Sequence, residues 1–269
     1  MFRFIKHRAS TFRIPAWPTI FSIGLFGFMY VPILVLAVYS FNESRYGATW
    51  TGFSLRWYAQ LLGDQRLLLA LRSSLLIAVG AVGIAAVLGT LMAVGLSRYR
   101  FPGKNVYQGV AYLPLIVPDI TIAVSTLIFL ATLAIPLSIW TTVAAHVVFC
   151  LAYIAIVVST RLADLNPQLE EAALDLGATP RQAFVKVLLP ELAPAILSGC
   201  LLAFVLSLDD LLISSFTFGG GASPLPIEIF SRIRIGVKPD INALSVVLIT
   251  ESGAIAVAAE YLRYRTVKR

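Results

Sequence analysis

Charged residues are scarce in this 269-residue chain: only 13% are Asp, Glu, Lys or Arg, against 58% hydrophobic residues and a mean hydropathy of +0.85. Soluble globular domains carry roughly a quarter charged residues, so the shortage excludes a soluble fold. Cysteine is equally sparse. Cys150 and Cys200 both sit in apolar runs, which excludes a disulfide framework and leaves two inert, buried thiols. The two histidines have no partner cluster, His7 lying in a basic tail and His146 in an apolar run, so neither reads as a metal ligand. A phosphate-binding loop is missing too, because Pro102-Gly103-Lys104 lacks the first glycine and the Ser/Thr of that motif. With no nucleophile elbow and no paired acids in a loop, no catalytic residue is assigned and no cofactor is expected in this chain.

What remains is apolar sequence in helix-length pieces. Crossing the hydrocarbon core takes about 20 mostly apolar residues as helix, and six segments qualify: 20–41, 74–96, 109–133, 139–159, 193–216 and 241–262. The third and fourth are separated by little more than Ile135, Pro136 and Leu137, and so read as a tight hairpin. The first reads as an uncleaved anchor, since it is long for a signal peptide and no small-x-small pair closes it. The pattern predicts an all-α membrane protein: an N-terminal tail over 1–19, a six-helix membrane domain over 20–262 and a C-terminal tail over 263–269.

The net charge of +7 is spread through the gaps between these segments rather than gathered on a nucleic-acid-binding face. Residues 1–19, 97–108, 160–192 and 263–269 carry 14 of the 21 Lys and Arg residues, and the gaps on the other side carry 7. By the positive-inside rule both termini are expected in the cytoplasm. Trp50, Phe53, Trp57 and Tyr58 suit an interfacial segment at the outer side. Gly219-Gly220-Gly221, Pro224 and Pro226 predict an irregular path back toward the membrane.

The loop over 160–192 is the most informative. Asn166 is a good N-cap with Pro167 behind it, and Gly177 a good C′ residue. Thr179, Pro180 and Gln182 spell a capping box for a second short helix. Leu169, Ala172, Ala173 and Leu176 share one face of the first helix. A hairpin this short needs a surface to dock on, either its own membrane domain or a partner.

Glu171-Ala172-Ala173, Gly177 and then Val187-x-Leu189-Pro190 resemble the EAA signature of binding-protein-dependent ABC importer permeases, with Val187 where Ile is usual. The resemblance implies the six-helix type I importer fold in a bacterial inner membrane. It implies a coupling helix seated in a separate pair of ATPase subunits, which would bind the ATP and Mg. Glu171 would make a polar contact with the ATPase, Ala172 and Ala173 would allow close approach, and Gly177 would make the turn ahead of Leu189 and Pro190. Further implied partners are a second, homologous permease subunit forming a heterodimer, a periplasmic or lipid-anchored solute-binding protein, and membrane lipid.

Four acids lie within the apolar runs: Asp119, Asp209, Asp210 and Glu251. Each costs on the order of 2.5 kcal/mol or more in hydrocarbon, and such residues default to function. No Lys or Arg shares their segments, so the set suits a cationic solute. Neighbouring residues on a helix point about 100° apart, so Asp209 and Asp210 cannot both face one pore. One of them is expected to bond a neighbouring helix or cap a break. Asp119, just after Pro118, either lines the path or caps a broken helix. The runs Ser207-Leu208-Asp209-Asp210, Leu225-Pro226-Ile227 and Gly236-Val237-x-Pro239-x-Ile241-Asn242 resemble the second permease subunit of spermidine/putrescine importers, which implies a polyamine substrate. Ferric iron, thiamine or sulfate permeases share the architecture, and a secondary cation carrier is an alternative of another class.

Overall fold

The computed structural model describes residues 16–44, 49–166, 168–235 and 239–267. The basic residues of the N-terminal tail, Pro167, Gly236 and Val237 lie outside them. The described residues form helices joined by loops, with one isolated bridge pairing Asn42 with Phe53. In order, the helices are α1 Ala16–Tyr39, α2 Arg56–Gly63, α3 Gln65–Arg98, α4 Lys104–Tyr112, α5 Asp119–Thr132, α6 Ile139–Asp164, α7 Gln168–Asp175, α8 Pro180–Ala183, α9 Leu189–Asp209, α10 Leu212–Thr217, α11 Leu225–Ile235 and α12 Pro239–Val267.

Five helical stretches among the described residues are long and apolar enough to cross a membrane, and a bent pair supplies a sixth. Two of the expected spans are not continuous. The segment expected over 109–133 is broken: α4 and a 3₁₀ turn at Leu113–Leu115 meet α5 at a bend of 104°. Pro114 and Pro118 cause this, since each lacks an N–H and disfavours helix in the residue before it. The segment expected over 193–216 ends as α9 at Asp209 and resumes as α10 after two intervening residues, Asp210 and Leu211. The hairpin expected between the third and fourth spans is a short corner, with Ala134 at φ 52°, but α5 packs on α10 rather than along α6.

The core is the packing of α3, α6 and α9, with α12 laid on α9. Small residues allow the close approach that membrane helices use in place of a hydrophobic drive. Ile154 of α6 sits between two glycines, Gly89 of α3 and Gly199 of α9. A Cβ on Gly89 would fall 2.9 Å from the Leu151 carbonyl oxygen, and one on Gly199 would fall 3.4 Å from the Ile154 Cα. Ser198 Oγ adds a hydrogen bond to the Ala259 carbonyl of α12.

At the end of the bundle away from α7, the loop before α2 folds around Asn42, whose side chain donates to the Thr49 carbonyl and accepts from the Thr51 N–H. Trp57 Nε1 donates to the Asn42 carbonyl. Beside it, Arg232 of α11 reaches Asp64 at 2.7 Å, Glu228 at 2.9 Å and Asp240 at 3.9 Å. The guanidinium holds the Asp64 carboxyl below the usual carboxylate range and ties α11 to the starts of α3 and α12.

The packing at Gly89 predicts an asymmetry within one helix. Gly89→Ala should lose about 1–3 kcal/mol to overpacking, whereas Gly83→Ala, with no atom in reach of its new methyl, should lose nothing. Denaturation of the two variants in detergent measures the difference.

Candidate functional site

The two helix breaks face one another, because α10 packs against α5. Between them lies a cavity of about 380 Å³ lined by Pro114, Val117 and Asp119 on one side and by Asp209, Asp210 and Ile213 on the other, with Phe149 and Tyr153 of α6 in its wall. Among the described residues no Lys or Arg lines it. A second cavity of about 280 Å³ lies among α9, α11 and α12; it shares Asp209 and adds Glu251 in otherwise largely apolar walls.

The four acids are therefore not equivalent. Asp210 is committed. Its Oδ1 accepts from the Ile213 N–H at 3.2 Å and its Oδ2 from the Ser214 N–H at 2.7 Å, which caps α10. The same Oδ2 lies 3.2 Å from Nε2 of His146, a fully buried side chain. His146 also contacts Ser207 Oγ of α9 through Nδ1 at 2.7 Å and Ser214 Oγ of α10 through Nε2 at 3.1 Å. Asp209, one residue away, is exposed to the two cavities and makes no hydrogen bond or ion pair among the described residues. Asp119 is the first residue of α5, where a negative charge suits the helix dipole, yet its exposed carboxylate caps nothing. Glu251 is likewise exposed.

The end of α9 adds to this electrostatic character. The last turn of a helix leaves carbonyls without intrahelical donors and about half a negative charge. With Asp209 at that terminus, the cavity presents negative charge and lone pairs, and the faces of Phe149 and Tyr153 add further affinity for a cation. Sequence reading passed over those two aromatics and His146, since an aromatic or histidine in an apolar run carries no mark of which way it points.

At the other end of the bundle, the hairpin of α7 and α8 forms as its capping residues dictate. Asn166 Oδ1 accepts from the Gln168 N–H at 3.0 Å. Gly177 has φ 86°, and the bonds Ala178 N–H to Ala173 O and Gly177 N–H to Leu174 O close a Schellman motif. The Thr179–Gln182 capping box is complete. Helix then runs without interruption from Pro180 to Asp209, so Leu189 and Pro190 lie inside a helix rather than at the end of a loop. A π-turn at Phe184–Leu188, closed by the Leu189 N–H on the Phe184 carbonyl, precedes the proline that has no N–H to offer.

Its own membrane domain does not cover α7. The helix buries no residue, Leu169 and Leu174 are exposed, and Leu176 is 90% exposed. Arg98 at the end of α3 holds Glu170 at 2.6 Å, which ties α7 to the bundle, and Arg161 of α6 holds Glu191 of α9 at 3.4 Å, while Glu171 and Ala172 stay exposed.

A helical membrane bundle with broken spans around an acidic cavity and an uncovered hairpin at one end has the architecture of a transport permease. Residues 85–264 match the family described as binding-protein-dependent transport system inner membrane component, and the chain belongs to that family. It is 44% identical over 263 residues to the putrescine transport system permease protein PotI of Escherichia coli, covering 94% of this chain and 92% of that one. It is 38% identical over 242 residues to the spermidine/putrescine transport system permease protein PotC of the same organism, covering 90% and 92%. Among solved structures, a bacterial ABC transporter involved in the import of the acidic polysaccharide alginate superposes with a TM-score of 0.73 at 15% identity, covering 94% of this chain and 98% of that one. The MetNI methionine ABC transporter superposes at 0.57 with 22% identity, covering 78% and 97%. The fold is that of type I ABC importer permeases, and the chain is a permease subunit of a binding-protein-dependent import system.

The unequal roles of the two adjacent acids predict unequal mutational costs. Asp210→Ala should lose about 0.5–2 kcal/mol for the cap alone and more for the buried histidine it abandons, whereas Asp209→Asn should unfold as the wild type does. Thermal unfolding of detergent-purified variants checks this; equal losses at both positions would show that Asp209 is also held by the fold.

Proposed function

We propose that this subunit carries a polyamine, putrescine or spermidine, inward across a bacterial inner membrane, driven by ATP that a separate pair of ATPase subunits binds with Mg and hydrolyses. The observation that carries the reading is the cavity at the two breaks, where, among the described residues, Asp119 and Asp209 stand unpaired and no Lys or Arg lines the space. An anion has nothing to bind there, and an alkylammonium group finds carboxylates, helix carbonyls and aromatic faces. The relatives named for putrescine and spermidine transport support the same substrate class. Glu251, in the second cavity with Asp209, is a further station on the path.

The hairpin end faces the cytoplasm in this reading, as the excess of basic residues on that side requires, and both termini lie there. The exposed apolar surface of α7 and the free Glu171 seat in the ATPase. Ala172 and Ala173 allow close approach, and Gly177 keeps the turn that presents them. A second homologous permease completes the pore, and a solute-binding protein outside the membrane delivers the polyamine. A secondary carrier of cations would have no use for an uncovered hairpin carrying this signature.

Uptake of labelled putrescine and spermidine by cells expressing the complete transporter tests the substrate. Asp209→Asn should lower uptake about tenfold or more, the worth of one charge-assisted hydrogen bond, while Asp210→Asn, whose amide oxygen can still cap α10, should retain most of it. A different solute moving instead would keep the permease and remove the polyamine. The coupling reading makes a separate prediction. Replacing Glu171 and Gly177 together by alanine should leave membrane insertion intact and ATP hydrolysis no longer tied to uptake, as measured by comparing hydrolysis and transport in proteoliposomes.

A further inference from the structure

His146 is a fully buried, titratable side chain at the break that the transport reading leaves without a task. It is fully buried on α6 and touches all three parts of the discontinuity: Ser207 on α9, Asp210 in the break and Ser214 on α10. One tautomer serves every partner, with the Nε2–H directed at Asp210 Oδ2 and the Ser207 hydroxyl donating to Nδ1. Phe149, one turn along α6, packs on the imidazole at 5.2 Å between ring centroids and also lines the cavity. The ring is therefore built into the wall of the cavity without opening onto it.

We propose that His146 is a positioning residue for the cation path: it holds the Asp210 carboxylate against the start of α10 and thereby fixes the α9 terminus that presents Asp209 to the cavity. This rests on the reading of Asp209 as the cation's carboxylate. Without the imidazole, Asp210 keeps two backbone donors but loses its side-chain partner. Its Oδ2 then rests on the Ser214 N–H alone, its charge is no longer offset by the imidazole N–H and competes for the ammonium, and the terminus of α9 loses the anchor at Ser207.

The test uses the complete transporter with three variants. His146→Gln places an amide N–H near the Nε2 position, His146→Leu removes the polar clamp, and His146→Leu with Asp210→Asn removes the clamp and the freed charge together, Asn still capping α10. His146→Leu should lower putrescine uptake about tenfold, with assembly with the ATPase unchanged, while His146→Gln and the double variant recover at least half of the wild-type rate. Wild-type uptake from His146→Leu overturns the proposal. So does a loss that neither partner variant recovers, because His146 would then be core filling alone. A second measurement is independent of the solute: alkylation of Asp209→Cys by a water-soluble thiol reagent, with Cys150→Ala and Cys200→Ala to silence the native thiols. His146→Leu should change that rate about fivefold or more, and an unchanged rate overturns the clamp. If the wild type takes up no polyamine, the substrate reading fails, and the alkylation rate still decides the role of His146.

Discussion

A chain that breaks its helix inside a bilayer must satisfy the freed backbone groups from within, because no water reaches them from the lipid side. In this subunit that requirement falls on Asp210. Its carboxylate takes up the N–H groups of Ile213 and Ser214 at the start of α10, and the buried imidazole of His146 approaches the same oxygen. Thr141 of α6 secures the far end of α10 by donating to the Thr217 carbonyl at 2.7 Å. A six-residue helix could not persist alone; here both of its ends are tied to α6.

Much of the site follows from that one arrangement. With Asp210 turned toward the bundle, the roughly 100° between successive helix positions carries Asp209 away from it and into the cavities. The break brings the α9 terminus and its unpaired carbonyls to the same place. The proline break before α5 forms the opposite wall, and α10 packs between the two so that neither half-helix has to lie along lipid with its ends exposed. Acids that would be costly in hydrocarbon thus line space rather than lipid, with no Lys or Arg among the described residues of the lining.

How much of this the sequence discloses depends on how local the cause is. The α7–α8 hairpin was legible almost residue by residue, because caps and a left-handed glycine act over three or four positions: Asn166, Gly177, Thr179 and Gln182 act as their types predict. The apolar segments marked the membrane helices but hid their breaks, since a window of apolar residues reads the same whether straight or bent. Pro114 and Pro118 were the visible signs of the first break. The second has no proline, and the contact that holds it joins His146 to Asp210, 64 positions apart in sequence. That one of two adjacent acids had to be structural was deducible from helix geometry; which one it was depended on a partner that no local pattern reveals. The continuation of helix through Pro190 was hidden for the opposite reason, because a π-turn absorbs a proline that on local rules ends a helix.

That continuity bears on how the two ends of the molecule communicate. Pro180 to Asp209 is 30 residues of unbroken helix, about 45 Å at 1.5 Å per residue. One end grows directly out of the hairpin, and the other carries the carboxylate that faces both cavities. The π-turn and the two prolines, Pro190 and Pro194, lie in its first half, where missing hydrogen bonds make the rod easiest to bend. Beyond them α9 is gripped by α3, α6 and α12 along its length. In the proposed coupling, a push on α7 would be taken up as tilt near the base and delivered to the packed upper half as a rigid displacement, with Asp209 at its tip. Neither a flexible loop nor a chain of side chains has to relay the motion. In that reading the helix that would receive the force also holds the charge, and because His146 contacts Asp210 at its end, moving the rod would also move the break.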